Sequence, residues 1–417
     1  MLQIKHALRQ FVVVYIFLLH WNIVNVPSLS IGGYANKYLG LDKDMFLNVT
    51  QHSSINRYAT EVHTVNTEDG YLLTIFHMLP GKRCAGREIG PPLIMMHGFL
   101  MSSDTWLDAG RNASLVYQLS DACVDLWLAN ARGTHYGRRH LRLDPDLHAE
   151  FWDFSSDEVA LYDVPATIDY VLKQTGTESV NYLGYSQGAN TFMMMCSEKP
   201  AYCTKARLLI ALAPPSRLVN SKSVGLRVST SVFRVMENVL ASVGVKELFS
   251  KGNLLQKALS YTCTHDAFLN NVCKAFRVMF DSDHEGSITP ETLKVFFGHF
   301  PTGVSVRMFA RYGQALYSDV LRKYDFGETE NIRRYGSADA PTYNLSAMTT
   351  PTVVMHGKMD LMVDVEDLPW LVNSLPNVLE NVVMEYPEWN HFDFIYSKHN
   401  SKLVVPKILK YLAKYSD

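Results

Sequence analysis

Gly184-Tyr185-Ser186-Gln187-Gly188 carries the sharpest chemical content in the chain. An apolar run, Val180 to Tyr185, reads as a strand ending at it, and Gln187–Met195 reads as a helix starting beyond it. A strand passing straight into a helix holds the serine between them in a strained backbone conformation and leaves its Oγ exposed. Glycines belong at 184 and 188 because side chains there would collide across the turn. The helix N-terminus adds a positive end facing any oxyanion that forms. The pentapeptide alone also fits a glycine-rich loop with a surface serine; the strand-to-helix setting is what points to a nucleophile for acyl transfer.

A serine hydroxyl attacks only when a base takes its proton. Of the fifteen histidines, His391 follows the strand-like run Asn381–Tyr386, where the last strand of an α/β sheet releases a loop. The third partner must hold the imidazole tautomer. Thr352 to Met355 reads as a strand leading into His356-Gly-Lys-Met-Asp360, which places Asp360 just past a strand end. Asp364 and Asp367 are the rival acids, and Asp393 reads as a structural neighbour of the histidine. The order Ser186, Asp360, His391 has a long first gap that an inserted subdomain explains.

Acyl transfer also needs donors for the tetrahedral oxyanion. The backbone N–H of Gln187, next to the nucleophile, is one. The other is expected from Phe99, in His97-Gly-Phe-Leu100 at the end of an early strand, with His97 fixing that loop. Asp281-Ser-Asp283-His-Glu285-Gly286 resembles the start of a calcium loop, but its twelfth position is Thr292, which cannot give a bidentate carboxylate. No cysteine or histidine cluster has zinc spacing. A triad brings its own acid, base and nucleophile, so no metal or organic cofactor is implied.

Elements must position these groups. Two apolar runs, Glu61–Val65 and Tyr71–Met78, flank Thr67-Glu-Asp-Gly70 as a hairpin. Leu93–Met96, Val124–Leu128, Val180–Tyr185, Leu208–Ala213 and Thr352–Met355 are short apolar strands, and Ser156–Gln174 has helical spacing. Strands free of polar alternation, interleaved with helices, indicate a mostly parallel sheet covered on both faces. From about 217 to 343 the pattern is helical, with Val224, Val228, Val232, Val235, Val239 and Val243 forming an apolar stripe suited to a lid or to the packing of an insert. The expected organisation is a signal peptide at 1–30, an α/β core at 31–216, an inserted helical cap at 217–343 and the rest of the core at 344–417.

Of 417 residues, 47% are hydrophobic and 19% charged, which supports a large core and argues against disorder. Lys plus Arg number 39 against 41 Asp plus Glu. That balance argues against nucleic acid as a partner. Lys5 and Arg9 before the apolar run Phe11–Leu19 read as a secretory signal, and no later run is long enough for a transmembrane span. The sequons at Asn48, Asn112 and Asn344 agree with export, to the lumen of a lysosome or the outside of the cell. Among six cysteines, Cys263 and Cys273 are close enough to close a short loop. Cys84, Cys123, Cys196 and Cys203 have no assigned pairing.

Taken together, the motifs resemble the acid lipase family, which contains gastric and lysosomal acid lipases and secreted insect relatives, over nearly all of 55–417. The resemblance rests on Thr67-Glu-Asp-Gly-Tyr-Leu-Leu73, His97-Gly-Phe-Leu100, Asn130-Ala-Arg-Gly133, Phe151-Trp-Asp-Phe-Ser-Ser-Asp-Glu158, Gly303-Val-Ser-Val-Arg307 and Asn390-His-Phe-Asp-Phe394. It implies the α/β-hydrolase fold, a catalytic triad of Ser186, Asp360 and His391, oxyanion donors at Phe99 and Gln187, and a cap with a Cys263–Cys273 disulfide. The implied activity is hydrolysis of long-chain fatty acid esters, triacylglycerols first, at a lipid–water interface. Steryl ester hydrolysis or general carboxylesterase activity uses the same triad, and a non-catalytic lipid-binding protein is the reading from another class. Two departures stand out: Tyr185 where many members have His, and Phe99 where many have Leu.

Overall fold

Strands that are apolar at every position fit only the middle of a sheet buried on both sides. In the computed structural model, which describes residues 44–81, 84–87, 89–249, 274, 277–284 and 287–415, such strands form the centre. The strands in chain order are β1 (Thr60–Asn66), β2 (Leu72–Met78), β3 (Leu93–Met96), β4 (Leu126–Ala129), β5 (Val180–Tyr185), β6 (Ala206–Leu212), β7 (Glu247–Leu248), β8 (Val304–Ser305), β9 (Thr352–His356) and β10 (Val378–Val383). Eight of them make one sheet in the order β1-β2-β4-β3-β5-β6-β9-β10, while β7 and β8 pair separately. Strands from β4 to β10 in that order are parallel, and only β2 runs against its neighbours.

Residue alternation divides the core in two. Leu93, Met95, Leu183, Ile210, Val353 and Met355 pack on one face, and Ile94, Met96, Tyr182, Leu209, Ala211 and Val354 on the other. The helices Val164–Thr175 and Gln187–Glu198 contribute to the second face; the C-terminal helix Val405–Tyr415 covers the first. The hairpin forms with Glu61 opposite His77.

Three local expectations shift. The last strand ends at Val383 and not at Tyr386, because its pairing stops where β9 stops, at His356. The stretch Ser156–Gln174 contains a π-helical turn at Val159–Asp163, and Asp163 at its end is buried against Arg132. Between β6 and β9 lie the helices Val224–Ser242, Pro290–His299, Val306–Ala315 and Glu328–Tyr335. The helix Val224–Ser242 packs through Leu226, Ser229, Thr230, Phe233 and Leu240. Four valines of its stripe turn outward, with Val235 71% and Val243 66% exposed, while Val228 and Val232 are half-buried.

The four cysteines without an assigned pairing form two disulfides, Cys84–Cys123 and Cys196–Cys203. The expected signal peptide and the Cys263–Cys273 pair lie outside the described residues. Among the described residues no helix is long and apolar enough to cross a membrane.

Candidate active site

The turn after β5 places Ser186 at φ 50°, ψ −119°. A non-glycine residue there stores roughly 1–3 kcal/mol of strain. Both flanking glycines are forced by backbone. A Cβ on Gly184 would lie 2.4 Å from the Ala189 nitrogen, and one on Gly188 would lie 2.3 Å from the Met96 carbonyl. Packing this tight presents Oγ at the C-terminal edge of the sheet, where open α/β sheets bind their ligands. Ser186 is 8% exposed.

The loops after β9 and β10 bring the other two groups to the same edge. His391 Nε2 stands 3.0 Å from Ser186 Oγ, and its Nδ1 is 2.7 Å from Asp360 Oδ2. Accepting from Nδ1–H, Asp360 fixes the proton on that nitrogen and leaves the Nε2 lone pair to accept from the serine hydroxyl. Asp360 Oδ1 accepts from the N–H groups of Met362 and Val363 at 3.0 and 2.8 Å, which locks the carboxylate. Burial depresses the pKa of His391, but the Asp360 charge and hydrogen bond, helped by Asp281, outweigh it and raise the value above that of ordinary histidine. An imidazole tuned this way holds a proton readily once it has taken one from the nucleophile.

Neither rival acid reaches the histidine. Asp364 pairs with Lys222 at 2.8 Å, and Asp367 with Arg217 and Asn220. Asp393 is structural, accepting from the Asn390 N–H at 2.9 Å. His97 fixes its loop: its ring contacts the Gly98 carbonyl and accepts from the Ala131 N–H, and burial pushes its pKa down to about 4.

Phe99 and Gln187 flank the nucleophile from two elements, and among the described residues the backbone N–H of neither makes a hydrogen bond. The Phe99 ring packs against Phe309 and Tyr312, and Tyr312 Oη donates to Gln187 Oε1 at 3.0 Å. One helix of the insert thus braces both candidate oxyanion donors.

Sequence reasoning missed two groups around the base. Tyr185 Oη donates to the His391 carbonyl over 3.1 Å. Asp281, set aside with the calcium-like run, accepts from the His391 N–H at 2.7 Å, and burial together with the Asp360 carboxylate pushes its pKa up to about 8. Its oxygens are taken by backbone donors, and Asp283 pairs with Arg277 at 3.2 Å, so these two carboxylates are engaged within the protein. The unbroken polar run Asp281-Ser-Asp-His284 was the available signal.

Among the described residues two other clusters have metal-ligating types: Glu61, His63 and His77, and His52, Asp108 and His299. His77 sits between Asp125 at 2.5 Å and Glu61 at 3.3 Å, and these carboxylates raise its pKa against the effect of burial, which favours an ion pair over a metal ligand. Both nitrogens of His299 face acceptors, the Asp108 carboxylate and the Leu47 carbonyl.

Residues 91–397 match the model of the alpha/beta hydrolase fold, and residues 49–110 that of the partial alpha/beta-hydrolase lipase region. Gastric triacylglycerol lipase of Homo sapiens is 31% identical over 378 residues, covering 90% of this chain and 93% of that protein. The chain belongs to the acid lipase family of the α/β-hydrolase fold. Lipase 1 of Drosophila melanogaster is 32% identical over 374 residues, 90% of this lipase-family chain and 81% of that one. Among solved structures, the DcsB complex with its substrate analogue has a TM-score of 0.50 at 10% identity, covering 86% of this chain and 99% of that one. That likeness concerns the fold alone.

Of the sequons in this lipase-family chain, Asn112 and Asn344 are exposed. Asn48 is half-buried and caps the helix Val49–Ile55 through a bond from the Gln51 N–H.

Proposed function

We propose that the chain is a lipase that hydrolyses carboxylic esters of long-chain fatty acids, triacylglycerols first, through an acyl-serine intermediate. Ser186 is the nucleophile, His391 the general base and then acid, and Asp360 the group that holds the imidazole. The observation that carries this reading is the 3.0 Å approach of His391 Nε2 to Ser186 Oγ, with Asp360 2.7 Å behind the ring. In acylation, Oγ attacks the ester carbonyl as its proton passes to Nε2, and the N–H groups of Phe99 and Gln187 receive the oxyanion. Each donor contributes about 3 kcal/mol at the transition state. The proton then goes to the departing alcohol, and water repeats the sequence to free the acid and the serine.

The choice of triacylglycerol is supported by the curated relative named for that substrate and by the outward valine stripe on the helix Val224–Ser242. An exposed apolar face of that kind suits contact with a lipid surface. The segment 217–343 is read as the cap above the site. The Lys5/Arg9 start, the apolar run after it and the sequons at Asn48, Asn112 and Asn344 support an exported, glycosylated enzyme. Steryl esters and short soluble esters are the competing substrates on the same groups.

The test is hydrolysis of emulsified triacylglycerol, cholesteryl ester and short-chain esters by the wild type and by Ser186→Ala. The expected outcome is preference for the triacylglycerol emulsion and a loss of about 10⁶-fold in kcat on removing the nucleophile. Full activity of the alanine variant, or failure of the wild type to react with an active-site phosphonate, overturns the reading and favours a lipid-binding protein.

A further inference from the structure

We propose that Asp281 is a positioning residue for the base, so that the chain inserted between β6 and β9 sets where the His391 imidazole stands. Asp281 belongs to neither the sheet nor the loops that carry the triad. Its carboxylate is 1% exposed and has four recorded partners, all backbone donors. Oδ1 accepts from Ser282 and Leu361, both at 2.9 Å; Oδ2 accepts from His391 at 2.7 Å and Phe392 at 3.4 Å. Leu361 follows Asp360 directly. One buried carboxylate therefore spans the loop that carries the acid and the loop that carries the base.

The neighbouring residues repeat the pattern. Ser282 Oγ donates to the Met359 carbonyl, and Asn390 Nδ2 donates to the Ser282 carbonyl, each at 2.7 Å. His284 and Ser287 both engage the Asp393 carboxylate. From the other stem of the insert, the N–H groups of Lys222 and Ser223 both donate to the Leu361 carbonyl at 2.8 Å. These ties fall on residues next to Asp360 or within two residues of His391. Calcium-loop resemblance aside, this is the work that Asp281, Ser282, His284 and Ser287 perform.

The chemistry explains why the residue is an aspartate. Burying a carboxyl group is costly unless hydrogen bonds satisfy it, and here both oxygens face backbone donors, so a side chain with two oxygens that can accept is what fits. Asparagine has the same shape but must turn its NH₂ towards an N–H on one side. That change releases either the acid loop or the base loop. A misplaced base slows proton transfer while leaving the binding surface for the ester untouched.

This inference rests on the proposed ester hydrolysis, and the experiment separates the two. Steady-state turnover of a soluble ester and the rate of Ser186 phosphonylation are measured for the wild type and for Asp281→Asn, with thermal unfolding as the check on folding. The expected result is a fall in kcat of about 100-fold, a matching fall in phosphonylation rate and an unchanged KM. A folded variant with wild-type kcat and phosphonylation rate overturns the inference and leaves the function standing. Should Asp281→Asn not fold, Ser282→Ala decides, since it removes one tie at the edge of the same clamp. Reduced kcat at unchanged KM and unchanged unfolding temperature supports the inference; unchanged kcat overturns it. A wild type inert to both ester and phosphonate overturns the function and this inference with it.

Discussion

Tyr185 and His391 are joined by a hydrogen bond from the phenol to the backbone carbonyl over 3.1 Å. The residue before Ser186 thus holds the main chain of His391, the proposed base, and the ring centroids lie 5.1 Å apart. Burial keeps the phenol far above its ordinary pKa, so it stays a donor. With Asp281 on the N–H and Asp360 on Nδ1, three side chains fix the peptide and ring of residue 391. Tyr185→Phe removes the partner of a buried carbonyl, which costs about 1–3 kcal/mol. The expected outcome is a lower unfolding temperature together with reduced kcat, read by calorimetry and ester turnover; wild-type values for both would refute it.

Gly188 sits where the helix Gln187–Glu198 meets the end of β3, and a Cβ there would stand 2.3 Å from the Met96 carbonyl and 2.8 Å from that of His97. Both obstacles are backbone, so the helix start must move. That movement separates the N–H of Gln187 from that of Phe99, the two groups assigned to the oxyanion. Gly188→Ala is expected to lose most activity or fail to accumulate. Gly176→Ala is the control: φ is +69° and nothing lies within 4 Å, so only backbone strain of about 1–2 kcal/mol applies. Equal activity in the two variants would contradict the argument.

The parts of the site that obey local rules were legible before the fold was known. Ser186 follows from a strand, a tight turn and a helix in succession, and Asp360 and His391 from their places just beyond strand-like runs. Asp281 follows no such rule, because its partners Leu361 and His391 lie 80 and 110 positions away. The valine stripe left its role open for the same reason: 3.6-residue spacing identifies a face of a helix but not what it meets. Here Phe233 and Leu240 take the packed side and Val235 and Val243 the outer one. The end of β10 was misplaced because apolarity continues through Met384, whereas pairing depends on the length of β9.

Cysteine pairing escaped the sequence for the same reason, and its energetics differ between the two bridges. Cys84–Cys123 closes a span of 39 residues, from just after β2 to just past the helix Leu115–Asp121. Cys196–Cys203 closes only 7, at the end of the helix after Ser186. Chain-entropy arguments give about 4 kcal/mol for the longer loop and about 2 for the shorter. Paired Cys→Ser variants should therefore unfold in the order Cys84/Cys123 before Cys196/Cys203 before wild type as denaturant rises. The reverse order of midpoints would show that local packing, and not loop closure, decides.

His284 joins the insert to the base loop through Asp393 at 2.7 Å, and this hydrogen bond, with burial opposing it, raises the histidine above its ordinary pKa. Asp393, Glu388 and Asp283 all favour its charged form. A histidine whose folded pKa lies above its unfolded one binds its proton more tightly when folded. The stability this brings is complete below the unfolded value near 6.5, and is lost as pH rises through the folded value. Compared with His284→Gln, the wild type should hold its largest advantage in unfolding free energy below the unfolded value and lose it progressively as pH rises through the raised folded one. Denaturant titrations of both proteins across that range read the difference directly. A gap that stays constant with pH would mean the ring acts here by shape alone, whereas a gap that closes on the alkaline side makes the tie between insert and catalytic loop strongest in acid.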